Sequence, residues 1–341
     1  MSDVPQTLTT ILNNLALDFR PRVVRAINRR SVLLTVLPIV MGSGKNVTWD
    51  IETSGANAET FNDGDDASNF NSDAIVAPTL GWGLVRSNFR VGDVAVAAAA
   101  SASSPRDLMG LISRNYVNST TALTSSINSK LFSSSSGIIG LDTALRDDNT
   151  YAGIDRTDSA NTLARGNLID PGSLTAPTLS DIRKDITVTI YKACGVQPDI
   201  AICSPEVFLA IGNLFQEFRR LNQDAKSMDT ARGTVQLDGS LGSIEFEGCR
   251  FFKDKDATAN RIYYLNTEYV RVEYLPQLMS PEVMEQSRMV QADDGYGAIP
   301  LGMKAKALAP TGASSKVSLQ AFLQLVVERP NACGMRLNVQ A

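Results

Sequence analysis

From Ser104 to Leu131 the chain reads SPRDLMGLISRNYVNSTTALTSSINSKL, the strongest helix signal it contains. Ser104 is placed to cap, Pro105 suits the first turn, and Asp107 stands where a capping box has its acid. Leu108, Ile112, Tyr116, Leu123, Ile127 and Leu131 recur at helical spacing, with Thr120 filling the gap in the stripe. Such a helix is about 40 Å long at ~1.5 Å per residue. Between Leu108 and Ser129 its only charge is Arg114. A surface helix ordinarily shows a charged outer face; Ser, Thr and Asn in its place predict an element covered by polypeptide on more than one side. Neighbouring copies of the chain are one source of that cover, and Ser113 marks the polar side as a candidate contact.

Two other stretches are unbalanced in charge. Arg20, Arg22, Arg25, Arg29 and Arg30 crowd a short segment around Pro21, where Val24 and Ile27 share a helical face. From Asn46 to Val85 the chain carries Asp50, Glu52, Glu59, Asp63, Asp65, Asp66 and Asp73 and neither Lys nor Arg. Val47, Trp49 and Ile51 alternate, and the middle, GANAETFNDGDDASNFNSD, is turn-rich. The pattern predicts two strands projecting a long acidic hairpin. Arm and hairpin read either as solvated faces or as complementary partners between chains.

An α/β region follows. Thr178 and Asp181 frame a capping box ahead of Ile182, Ile186, Ile190 and Ala193, and Gly195 stops that helix. PDIAICSP reads as a short buried strand, and Ser204 caps a helix with the stripe Val207, Ile211, Leu214, Phe215 and Phe218. GSIEFEGCRFF, RIYYLN and YVRVEYL read as strands. The chain ends in two strands divided by a turn at Pro330 and Asn331.

Chemistry is narrowed by one absence: the sequence has no histidine. Ser/His/Asp and Cys/His nucleophiles and the commonest zinc sites are therefore excluded. GSGK at Gly42 to Lys45 lacks the spacing and the Ser or Thr of a phosphate loop and reads as a turn. Asp147, Asp148, Asp155, Asp254 and Asp256 are nominal partners for carboxylate hydrolysis, but all lie in turn-like contexts. NDGDD lacks the spacing and terminal Glu of a calcium loop. Cys194, Cys203, Cys249 and Cys333 form no CxxC pair and read as reduced and mostly buried. A net charge of -4 argues against a broad basic face for non-specific nucleic-acid binding. No stretch is long and apolar enough to span a membrane, and neither cofactor nor metal is expected.

The order of basic arm, acidic hairpin, long polar helix, YAGIDRT (Tyr151 to Thr157), FEGCRFFKDKDATANRIYYLN and LQLVVERPNACG resembles the major capsid proteins of tailed double-stranded DNA bacteriophages with the HK97-type fold. The resemblance covers nearly all of the chain. It implies an α+β subunit with an N-terminal arm (1–40), an E-loop (41–91), a P-domain with the spine helix (92–176), an A-domain (177–300) and C-terminal strands returning to the P-domain (301–341). It further implies a non-enzymatic capsid protein, made and assembled in the bacterial host cytoplasm. Hexamers and pentamers of the chain would form an icosahedral shell around DNA held without sequence-specific contacts. Portal and scaffold proteins are expected partners, with a decoration protein an open one. The intersubunit candidates are Arg20, Arg22, Arg25, Arg29, Arg30, Asp63, Asp65, Asp66, Asp73 and Ser113. Tyr151, Asp155 and Arg156 are expected to be structural, with Asp155 and Arg156 each bonding a separate segment at the junction of the P- and A-domains. No lysine lies in the hairpin, so the isopeptide crosslink some members form is not expected. A phage-derived nanocompartment and, further off, a histidine-free carboxylate hydrolase are the alternatives.

Overall fold

The computed structural model describes residues 31–53, 55, 60, 62–63, 75–93, 105–215, 237–238, 243–275, 303–308 and 314–340. Helix α1 (Val32–Val36) is capped by Ser31, whose hydroxyl accepts the Leu34 N–H. Strand β1 (Ile39–Met41) follows. The foot of the hairpin is built from β2 (Asn46–Thr48), β3 (Ile51–Glu52), β4 (Ile75–Val76) and β5 (Thr79–Gly81), paired β2 with β5 and β3 with β4. Val47, Trp49 and Ile51 alternate inward, and all three are buried.

Strand β6 (Gly83–Gly92) leads to the long helix α2 (Pro105–Ser133), 29 residues as the spacing predicts. Its stripe of Leu123, Ile127 and Leu131 is fully enclosed. So is much of its polar side: Ser119, Thr120, Thr124 and Asn128 are buried within the single chain. The Thr120 and Thr124 hydroxyls donate back to the carbonyls of Tyr116 and Thr120, one turn earlier, which satisfies them without a neighbour. A short helix α3 (Leu141–Ala144) and the two-strand hairpin β7 (Thr150–Tyr151) and β8 (Ile154–Asp155) come next.

After β9 (Asn167–Ile169), Thr178 accepts the Asp181 N–H and opens α4 (Leu179–Arg183). A π-helical stretch (Lys184–Ile190) and α5 (Tyr191–Cys194) continue it until Gly195, at φ 76°, ends the run. Ile182, Ile186 and Ile190 are four apart, more than the ~3.6 residues of an α turn; widening the turn keeps all three on the buried side. Strand β10 (Ile200–Cys203) and helix α6 (Pro205–Leu214), capped by Ser204, follow as expected. The remaining strands are β11 (Leu237–Asp238), β12 (Ser243–Phe246), β13 (Cys249–Lys253), β14 (Ile262–Leu265), β15 (Val270–Tyr274), β16 (Lys304–Leu308), β17 (Ser314–Val327) and β18 (Gly334–Arg336).

Two sheets organise these strands. The first has the order β1-β15-β17-β16, with β6 on the other edge of β17; α2 packs along β6 and β17. The second is β11-β12-β13-β10-β14-β18-β9. It is buried on both faces, which is why IAIC in β10 shows no polar alternation. Ile200, Ile202, Tyr263 and Leu265 join the core beneath α2, while Ala201, Cys203, Ile262 and Tyr264 face α4 to α6. The sheets interleave the segments marked out from sequence. β15, within 177–300, pairs with β17; β9 and β18, from 92–176 and 301–341, enter the second sheet.

Leu123 is 1% exposed in the shared core. Leu123→Ala should cost about 2–5 kcal/mol of stability, read as a lower denaturant midpoint at unchanged slope.

Candidate functional site

The YAGIDRT stretch forms a tight hairpin. Tyr151 pairs with Ile154, and Ala152 (φ 52°) and Gly153 (φ 86°) both take the left-handed conformation that two-residue hairpin turns require. Alternation then sends neighbours to opposite sides: Arg156 is 1% exposed and Asp155 is exposed. The Arg156 guanidinium lies 4.5 Å from the Tyr151 ring centroid. Its Nη1 donates to the carbonyls of Ala144 (2.7 Å) and Arg146 (2.6 Å), at and just past the end of α3. A cation there answers carbonyls that the helix cannot pair itself. Burial pushes its pKa down to about 10, which still leaves it charged at neutral pH.

Tyr151 reaches the far end of β17, where its hydroxyl accepts the Val327 N–H at 3.1 Å. Its ring also sits 6.1 Å from that of Trp49. Burial pushes its pKa up to about 12. Thr79 N–H donates to the Ala152 carbonyl, and Leu163 N–H to that of Thr53, so the hairpin foot is held on both sides. Asp155 corrects an expectation. Its carboxylate accepts from the N–H and hydroxyl of Thr157, two residues on, and these bonds hold it below the usual carboxylate range. It binds its own turn rather than a separate segment, because its side chain points away from the body. The unit joins α3, β17 and the hairpin foot.

The nominal carboxylate pairs have structural partners. Asp148 is bound by Arg146 at 2.6 Å. Asp254 is buried and accepts from Val32 N–H (3.0 Å), Asn128 Nδ2 (2.9 Å) and Asp256 N–H (3.0 Å). Asn128 in turn accepts from the Ser31 hydroxyl at 2.5 Å. This node pins α1 and the β13–β14 turn onto the polar side of α2. Sequence reasoning missed it, although Thr120, Thr124 and Asn128 at four-residue spacing were its trace. Among the described residues no group of three or more His, Cys, Asp and Glu could hold a metal ion. The four cysteines are free, three of them buried. No described helix is long and apolar enough to cross a membrane.

A sheet face stands opposite α2. Register aligns Arg86 with Gln320, Asn88 with Ser318 and Lys306, and Arg90 with Lys316 and Leu308. Arg86, Arg90 and Lys306 are exposed, Lys316 is half-buried, and no acid occurs in these three strands. A shallow groove of about 350 Å³ runs by Arg90, Leu308 and Lys316. Of the intersubunit candidates, Asp63 is exposed. Arg20, Arg22, Arg25, Arg29, Arg30, Asp65, Asp66 and Asp73 lie outside the described residues; Ser113 lies in α2, its side chain undescribed.

No protein-family profile and no curated protein matches the sequence. Solved structures do. A chain of the cyanophage A-1(L) capsid asymmetric unit superposes at TM-score 0.66 and 16% identity, covering 92% of this chain and 93% of that one. The chain shares the HK97-like α+β fold. The SrpI encapsulin of Synechococcus elongatus PCC 7942 matches at TM-score 0.54 and 14% identity, over 90% of this chain and 87% of that one. A protein of Mycobacterium phage Bobi matches at 0.50 and 14%, over 92% and 91%. The Tyr151–Arg156 unit lies against the hairpin foot.

Tyr151→Phe keeps the ring under Arg156 but strands the buried Val327 N–H, a loss of about 1–3 kcal/mol. Arg156→Met strands two carbonyls as well as the ring contact and should lower the thermal midpoint further than Tyr151→Phe does.

Proposed function

We propose that the chain is a shell subunit that assembles with copies of itself into a closed icosahedral particle, as the major capsid protein of a tailed double-stranded DNA bacteriophage. The observation that carries this reading is the end-to-end likeness to the chain of the cyanophage A-1(L) capsid asymmetric unit. In this reading 1–40 is the arm, 41–91 the E-loop, 92–176 with 301–341 the P-domain, and 177–300 the A-domain. Hexamers and pentamers build the shell, portal and scaffold proteins assist it, and DNA fills it without sequence-specific contacts.

Charge supports assembly between copies. The hairpin sequence holds seven acids without a Lys or Arg, and the open face of β6, β17 and β16 holds cations without an acid. Since β6 runs away from the hairpin foot, the hairpin of another copy is the better match for that face. Opposite potentials of this kind set register and approach more than raw affinity. Reversing Arg86 and Arg90 to Glu should leave monomer stability nearly unchanged while lowering particle yield. Asp63, Asp65 and Asp66 to Asn should lower it too and flatten its dependence on salt. Unaltered yield and salt response in both variants would remove this contact from the reading.

A second reading, the nanocompartment, is favoured by the likeness to the SrpI encapsulin. Negative-stain microscopy of the chain expressed alone tests what the two share: closed particles or regular tubes are expected, and monodisperse small species count against both. Particles from infected cells that protect DNA from nuclease separate the capsid from the nanocompartment. Boiled in detergent, either should run as one band at the mass of one chain, with or without reductant, because the hairpin sequence has no lysine and the cysteines are free.

A further inference from the structure

We propose that the small cavity between Trp49, Tyr151 and Arg156 is a binding site for a monatomic halide ion. It measures about 10 Å³, room for about one atom of water or halide size. The donors come first. Trp49 Nε1 and Arg156 Nη2 are buried, and neither has a hydrogen-bond partner among the described residues. Trp49 is 8% exposed and Arg156 1%. The Tyr151 oxygen already accepts the Val327 N–H, which leaves its own proton to donate. All three residues line the cavity.

Beyond the Tyr151 hydroxyl, the lining has no acceptor side chain. The other side chains around it are those of Ile51, Pro78, Ile154, Ala164, Val327 and Pro330. A water molecule entering there would satisfy the donors but bring two protons that none of these side chains can receive. A halide accepts from every direction and brings none. Charge points the same way: Arg156 forms no ion pair among the described residues, and its Nη1 spends its bonds on neutral carbonyls. A buried cation without a counter-ion is costly, and a monovalent anion at Nη2 offsets that cost at its source. The cavity is too small for phosphate, sulfate or a carboxylate, which limits the ligand to chloride or bromide in size. It also ties ion binding to the hairpin foot, since Trp49, Ile51 and Pro78 belong to that foot while Arg156 and Val327 belong to the body.

The test is the unfolding temperature of the full chain in sodium chloride, sodium bromide and sodium gluconate at matched ionic strength. Halide should raise it saturably, by about 2 °C at tenfold the dissociation constant, and gluconate should not. Trp49→Phe keeps the ring and removes one donor. It should raise the halide concentration for half-effect about tenfold, as expected for one hydrogen bond to a charged acceptor. Crystals grown in bromide should show one anomalous peak within hydrogen-bonding distance of Arg156 Nη2. Equal unfolding temperatures in halide and gluconate, or the same halide response in Trp49→Phe as in the parent, or bromide density without a peak in the cavity, would each overturn the site.

Discussion

Strand β17 is the rail on which the first half of the structure is registered. Its 14 residues pair along one edge with β6 and along the other with β16 and then β15. Val317, Leu319, Ala321, Leu323 and Leu325 face the core; Lys316 and Gln320, at alternate positions, do not. A slip of one residue would exchange these two sets, so the register is fixed by burial as well as by hydrogen bonds. Two polar groups near its end extend that control. Gln324 Nε2 donates to the carbonyls of Gly81 and Gly137, and its Oε1 accepts the Ile139 N–H. Val327 N–H goes to Tyr151. Through these bonds one strand positions the hairpin foot, the turn after α2 and the YAGIDRT unit together.

Local rules were readable in the sequence where their causes are local. The length of α2, the caps at Thr178 and Ser204, the stop at Gly195 and the two-sided burial of β10 all follow from residues a few positions apart. Pairings between distant segments were not readable. Nothing in YVRVEYL indicates that β15 lies between β1 and β17, because alternation gives a strand's face but not its neighbour. Arg156 and Asp155 show the same limit at one site. Their opposite directions follow from strand geometry, but the carbonyls that receive Arg156 lie at the end of a helix whose position the sequence does not announce.

The polar side of α2 carries the most instructive difference. Its low charge predicted cover by other polypeptide, and much of that cover comes from the chain itself. Ser31 and Asp254 close on Asn128, and the two threonines turn their hydroxyls onto their own helix. For the proposed assembly this favours the cationic face on the far side of the sheet over this stretch of helix. A helix without outward charge is therefore a sign of cover, with the source of that cover left open.

Two arginines are buried among the described residues, and they are stabilised differently. Arg336 meets Asp185 at 2.7 Å, and Tyr264 donates to the same carboxylate, so the second sheet and the π-helical turn share one ion pair. Burial raises the Asp185 pKa, and Arg336 works against that rise. Loss of Arg336 would leave the Asp185 charge buried and unpaired, which is the costly case, whereas loss of Asp185 would leave Arg336 with Asp181 at 3.8 Å. Arg156 has a ring and carbonyls instead of a carboxylate. Its neighbours cannot neutralise it, so its stability depends on how closely three segments converge on it. That dependence is a constraint on geometry: the hairpin foot, α3 and the end of β17 must meet at Arg156 in one arrangement.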